Sequence, residues 1–272
     1  MGRNERRNPR GMHSDNNKQI WIFRRINIFQ KMNQKLAFQL KTKNQLFKFL
    51  KSNKERKKIN FLNLHDIYQL NKNQIFRNTL FKKENLNFID GFIISVYLSL
   101  TNLKKIPRIS GPIFTRNFLS NKNLSENKTH FFIGPGKEDI PKLKLKFPHL
   151  KKIFSYTPSS IYIKYIIYSK KEIEKMVKLI NKSKTDYVWV GLGCPKQNIL
   201  SENLFKKTNA QYFMNIGAAI DFLVGNKAEA QKVIRKFGIE WFYRLVTDFK
   251  YSKKKVWRSF LGLKNITNIK IK

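Results

Sequence analysis

The sequence predicts an α/β fold: a mainly parallel sheet with helices on both faces, followed by a basic C-terminal appendage. Three observations carry this. Short β-rich apolar runs recur from residue 58 onward, helical stretches with a 3.6-residue apolar period separate them, and several runs end in glycine-bearing turns. Strands that alternate with helices in this way build parallel sheets of the Rossmann-like kind, whose ligands sit beyond the carboxyl ends of the strands. A chain of 272 residues has room for one such domain with extensions.

Residues 1–57 form a basic leader. Its first 19 residues are polar and lack the apolar core of a signal peptide, which suggests disorder. The chain begins Met-Gly, but Arg6 stands where a myristoylation signal has Ser or Thr. Toward its end, Leu46, Phe47 and Leu50 fall at helical spacing and predict a helix. The α/β domain is expected over 58–248. Its strands are "KINFLNL", "NLNFID", "HFFIG", "KKIFSY", "DYVWVGLG" and "QYFMNIG". Between the fourth and fifth, "KKEIEKMVKLINKSK" places Ile173, Met176, Val177 and Ile180 on one helical face. The segment "IYIKYIIY" is too short to cross a bilayer and is broken by Lys164. Residues 249–272 carry eight Lys and Arg, no acid, and the apolar Val256, Trp257, Phe260, Leu261 and Leu263. That combination predicts an amphipathic tail lying against an anionic membrane surface, with a solvated basic tail as the alternative.

The 56 Lys+Arg against 17 Asp+Glu give a formal charge of +39, which attracts lipid headgroups, nucleic acid or phosphorylated substrates. The abundance of Lys, Asn, Ile and Phe also fits AT-rich coding. A single cysteine, Cys194, excludes an intrachain disulfide and any multi-cysteine metal site, in keeping with a reducing compartment. The four histidines lack metal-ligand spacing, and there is no Asp-x-Asp. No metal and no cofactor are expected.

Three strand ends carry candidate chemistry on one rim: "IDG" at 89–91, "GLGCPKQ" at 191–197 and "IGAAIDFLVG" at 216–225. Gly191 and Gly193 permit tight turns and close approach, and amides at the next helix start can bind phosphate. The turn is not a full dinucleotide fingerprint, since Lys196 takes the place of its third glycine. Read alone, it is equally a structural strand-to-helix turn.

These motifs, together with "PRISG" at 107–111 and "FGIEWFYRL" at 237–245, follow one another in the order and spacing of one family. Over roughly residues 58–258 the sequence resembles the WecG/TagA/CpsF-type glycosyltransferases, glycosyltransferase family 26. The resemblance implies an inverting transferase that moves an N-acetylhexosamine, N-acetylmannosamine first among them, from a UDP-sugar to polyprenyl-diphosphate-linked GlcNAc in cell-wall polysaccharide biosynthesis. It implies Asp90 as the base and Arg108 as an active-site arginine. It further implies that Gln197 lies in the donor site, that Asp221 holds another active-site position where a carboxylate can bind sugar or ribose hydroxyls, that Arg244 contacts the diphosphate and that Asn63 binds substrate. From the residues themselves Gly191 and Gly193 give the ligand access, and Lys196 is either a charge near the diphosphate or a surface lysine. The implied partners are the UDP-sugar, the lipid-diphosphate-linked sugar and an anionic membrane surface, with no specific nucleic acid.

The pattern departs from the family at several points. Pro-Lys-Gln-Glu reads Pro195-Lys196-Gln197-Asn198, Arg-Ala-Pro reads Glu229-Ala230-Gln231, Phe61 replaces a threonine, and Tyr251 and Lys254 stand where arginines are common. A non-catalytic family member and a basic nucleic-acid-binding protein are the alternative readings. The expected location is the cytoplasmic face of a membrane, in a bacterium or in an organelle such as a plastid.

Overall fold

The computed structural model describes residues 35–159, 168–227 and 257–271. Its centre is a six-stranded, all-parallel sheet of β2 (Lys57–Leu62), β3 (Asn85–Ile89), β4 (Thr129–Ile133), β5 (Lys152–Tyr156), β6 (Tyr187–Val190) and β7 (Tyr212–Asn215), in the order β3-β2-β7-β6-β4-β5. The six runs expected as strands are these six. Because every pair is parallel, every carboxyl end lies on the same edge: Leu62 pairs with Ile89, Asn60 and Val190 both with Asn215, and Ile133 with Val190 and Tyr156.

Helices cover both faces. They are α1 (Lys43–Ser52), α2 (Leu64–Lys72), α3 (Gln74–Leu80), α4 (Phe92–Thr101), α5 (Gly111–Ser120), α6 (Lys122–Ser125), α7 (Asp139–Lys146), α8 (Lys170–Lys182), α9 (Lys196–Phe205) and α10 (Ala219–Leu223). The period-2 alternation of strand side chains divides the core. On one face Phe61, Phe132, Tyr187, Trp189, Tyr212 and Met214 pack with Phe114 and Phe118 of α5 and with Leu46 and Leu50 of α1. On the other, Phe131, Ile133, Val188, Val190 and Phe213 meet Ile173, Met176 and Ile180 of α8 and Leu200 and Leu204 of α9. The predicted face of α8 is the buried one, with Val177 at its margin.

Under α9 the second face is polar. Asn60 Oδ1 accepts from Asn198 Nδ2 at 2.8 Å and Asn215 Nδ2 at 2.7 Å, while its own amide donates to Asn85 and Asn87. Beside this layer Lys58 is buried against Glu202, which also binds Lys82 and Lys206. Burial by itself would raise the Glu202 carboxyl, but the hydrogen bonds from Lys58 and Lys82 outweigh it and hold the group below its ordinary range. Among the described residues Asn198 Oδ1 is buried without a partner, so the layer holds α9 on the sheet through the Asn198 Nδ2 bond to Asn60 rather than through complete pairing.

Part of the expected leader is built into the fold. A strand, β1 (Leu36–Phe38), pairs in parallel with β8 (Ile269–Ile271) near the end of the chain. Leu36, Phe38, Ile266 and Ile269 are buried with α2, α3 and α4. The expected helix is α1, started by a Thr42–Gln45 capping box. The final residues are therefore a paired strand, and the amphipathic part of the predicted tail is a short helix at 257–263. There Trp257, Phe260 and Leu263 are exposed, while a side chain on Gly262 would collide with the Leu64 carbonyl oxygen. That helix leans directly on the start of α2. Among the described residues no helix is long and apolar enough to cross a membrane. The run 161–168 lies largely outside the described residues, as do Glu229, Arg244, Tyr251 and Lys254.

Candidate functional site

Two constellations form on the carboxyl edge, at the ends of neighbouring strands. The first joins β2 to β3. Asn63 follows β2 and caps α2: its Oδ1 accepts from the His65 N–H at 3.0 Å, and its own N–H donates to the Asp66 carboxylate at 2.7 Å. Its Nδ2 is not used in this cap. Asp90 follows β3, its N–H donating to the Leu62 carbonyl at 2.9 Å. A Cβ on Gly91 would lie 3.3 Å from Asn63 Cα, so the Asp90-Gly91 turn sits directly against the Asn63 backbone.

Arg108 closes this constellation. Its Nε donates to the Asp90 carbonyl oxygen, and its NH2 lies 4.0 Å from Asp90 Oδ1. The Ile109 N–H donates to the Ile89 carbonyl at 2.8 Å, tying the "PRISG" segment to the end of β3. Asp90 and Arg108 are both about one-fifth exposed, so a carboxylate and a guanidinium reach the surface side by side. That pair can accept a proton and neutralise an anion at the same place.

The second constellation joins β6 to β7. The turn after β6 runs through Gly191 and Gly193, the latter at φ +75°, into α9, where Lys196 is half-buried. Gln197 is buried. Its Oε1 accepts from the Gly193 N–H at 3.2 Å and from the Gly217 N–H at 2.9 Å, so one side chain holds both turns. A Cβ on Gly191 would come within 3.2 Å of the Gly217 carbonyl oxygen, so a side chain there would press the two turns apart by a few tenths of an ångström. With both acceptor sites occupied, the Gln197 amide has only its Nε2–H groups for a ligand. Asp221, in the first turn of α10, is one-third exposed and bridges to Lys227.

The structure thus groups Asn63 with Asp90 and Arg108, and Gly191, Gly193, Lys196 and Gln197 with Gly217. The groups occupy one rim because β2 and β7 are adjacent. Arg244 lies outside the described residues. Asn198 is not on the rim at all: it is buried, turned toward Asn60 in the polar layer, and that departure from the family pattern affects the support of α9.

Sequence reasoning missed the turn after β4. Gly134, at φ +118°, abuts the Gly191 carbonyl oxygen, and Asp139 at the start of α7 accepts from Asn226 Nδ2 at 2.9 Å. The signal was present in "HFFIGPG", an apolar strand ending in glycine like the other rim turns.

The sequence model of the "Glycosyl transferase WecG/TagA/CpsF family" matches residues 32–264. Among curated proteins the chain is similar to N-acetylglucosaminyldiphosphoundecaprenol N-acetyl-beta-D-mannosaminyltransferases of Staphylococcus aureus. Identity is 39% over 82 residues with the proteins of strains NCTC 8325 / PS 47 and COL, and 38% over 82 residues with that of strain MRSA252. Each alignment takes in 29% of this chain and 31% of the relative, so the chain spans about a third of the length of the curated relatives it matches.

Proposed function

The chain belongs to the WecG/TagA/CpsF glycosyltransferase family, and on that premise we propose that it is an inverting transferase carrying an N-acetylhexosamine, N-acetylmannosamine first among them, from a UDP-sugar to polyprenyl-diphosphate-linked GlcNAc. The names of the staphylococcal relatives support the sugar and the acceptor. The observation that carries the reading is the placing of Asp90 and Arg108 on the same rim as the Gly193–Gln197–Gly217 clamp.

In this account the acceptor hydroxyl attacks the anomeric carbon from the face opposite the leaving group. The new C–O bond forms as the bond to the UDP oxygen breaks, and UDP leaves with the electron pair. Asp90 takes the hydroxyl proton. Its neighbour Arg108 binds the Asp90 main-chain carbonyl and, with NH2 4.0 Å from Oδ1, offsets negative charge next to the carboxylate. The amides at the start of α9, Lys196 and Arg244 oppose the charge that develops on the diphosphate, a role that bound cations fill in other transferases. Gln197 Nε2, Asp221 and Asn63 bind hydroxyl or carbonyl groups of the nucleotide sugar. Gly191 and Gly193 let the ligand approach the backbone. The protein acts at a membrane surface as a peripheral protein, since its acceptor is borne there.

Amide hydrogen exchange tests the site without turnover. UDP should protect residues 191–197 and 216–221 selectively. Equal protection by UDP and by an unrelated polyanion, spread over the basic surface, would instead favour a nonspecific phosphate binder.

A further inference from the structure

Helix α4, "FIISVYLSLT", starts immediately after the Asp90-Gly91 turn and contains no charged residue. Ile94 and Leu98 fix its inner side in the core. Its outer side is apolar as well: Phe92 and Val96 are each 39% exposed, Leu100 is 71% exposed, and Leu103, just past the helix, is 95% exposed. The i, i+4, i+8 spacing of Phe92, Val96 and Leu100 places these three on one line along the helix, and Leu103 follows just past its end.

Two further features separate this face from an ordinary scatter of surface leucines. The Ser and Thr hydroxyls of α4 and the amide of Asn102, which caps its end, are turned onto nearby carbonyls: Ser95 Oγ donates to Ile106 O at 2.8 Å, Ser99 Oγ to Ser95 O at 2.6 Å, Thr101 Oγ1 to Tyr97 O at 3.0 Å, and Asn102 Nδ2 to Leu98 O at 2.8 Å. Such bonding satisfies these donors without water, which lowers the cost of bringing the surface against lipid. Leu103 is held at φ +48°, a left-handed conformation that costs a non-glycine residue roughly 1 kcal/mol, yet presents its side chain wholly to solvent. The exposed Lys104 and Lys105 follow at once.

We propose that the outer face of α4 is a membrane-contacting surface, with Phe92, Val96, Leu100 and Leu103 entering the interfacial region of a bilayer and Lys104 and Lys105 meeting anionic headgroups. The net charge of +39 favours an anionic bilayer and opposes a second copy of this chain on the same patch. The ten-residue helix is about 15 Å long, so its lying in the interface holds Asp90, two residues before its first turn, at headgroup depth. A diphosphate-linked sugar projects from the bilayer at that depth. The inference rests on the membrane-borne acceptor for its purpose, but contact with lipid is measured without donor or acceptor.

The test is co-sedimentation of the full chain with phosphatidylcholine vesicles, with and without phosphatidylglycerol, at a salt concentration that screens the distributed lysines. Leu100→Ser combined with Leu103→Gly removes the two most exposed side chains, and glycine suits the φ at 103, so the fold is retained; thermal melting checks this. Partitioning onto the anionic vesicles should fall by about tenfold or more. Leu100→Phe should partition at least as well as the parent chain. Unchanged partitioning of the double variant would overturn the proposal. So would a dimer of the parent chain in sedimentation velocity that the double variant dissociates without loss of vesicle binding, because the patch would then be a self-interface.

Discussion

Gln197 Oε1 accepts a hydrogen bond from the Gly217 N–H at 2.9 Å, and through it the loop after β6 and the loop after β7 are held as one surface. The same oxygen binds the Gly193 N–H. Two substitutions separate this clamp from direct ligand binding. Gln197→Glu keeps an acceptor for both N–H groups but replaces Nε2 with an oxygen bearing negative charge. It should leave the melting temperature near that of the parent while weakening UDP binding at least tenfold by calorimetry. Gln197→Ala frees both N–H groups and should lower stability as well, by about 1–3 kcal/mol. Equal UDP affinity in Gln197→Glu and the parent would remove Nε2 from the donor site.

Gly262 meets the Leu64 carbonyl so closely that no side chain fits, and Leu64 is the first residue after Asn63. Gly262→Val should therefore push the 257–263 helix off α2, reducing transfer to a lipid-linked acceptor while UDP binding largely survives. Deleting 249–272 is a less informative experiment than Gly262→Val. It removes β8 and uncovers Leu36 and Phe38, so lost function would mix an undocked helix with a damaged core. Unchanged transfer by Gly262→Val, with the helix shown by proteolysis to be displaced, would detach this segment from the reaction.

His130 gives the fold a pH dependence of known sign. Its Nδ1 accepts from Trp189 Nε1–H at 3.0 Å and its Nε2–H donates to Ser125 O at 2.9 Å, so the buried ring is neutral. Burial pushes its pKa down from 6.5 to about 4. The unfolded chain then binds more protons than the folded one between these values. The stabilisation is complete above about pH 6.5 and is lost as pH falls toward 4, by roughly 3 kcal/mol in all. Chemical denaturation at several pH values should show this slope, and His130→Gln should flatten it. An equal slope in the variant would assign the acid sensitivity elsewhere.

Much of this architecture could be read in the sequence because local patterns and tertiary structure agree. "HFFIG", "DYVWVGLG" and "QYFMNIG" are apolar on both sides, as strands covered on both faces must be, and glycine marks where each leaves the sheet. The pairing of Leu36–Phe38 with Ile269–Ile271 was not legible, since two three-residue strands more than two hundred positions apart leave no periodic signal. Nor was the buried layer around Asn60. Asparagine favours turns and caps, and only the pairing of β2 with β7 and the approach of α9 bring Asn215 and Asn198 onto Asn60 Oδ1. The rim residues were legible as motifs, but the use of Gln197 Oε1 by two backbone N–H groups is a fact of geometry that no motif carries.

The central claim is transfer of a sugar with Asp90 as base, and the most direct measurement is mass spectrometry of a short-chain prenyl-diphosphate-GlcNAc acceptor incubated with a panel of UDP-sugars and excess EDTA. The account predicts addition of one N-acetylhexosamine, with UDP-N-acetylmannosamine the preferred donor. It also predicts a loss of about a hundredfold or more in Asp90→Asn, which remains folded and binds UDP but cannot accept the proton. No product from any UDP-N-acetylhexosamine with folded protein and vesicles present, or undiminished turnover by Asp90→Asn, would contradict it.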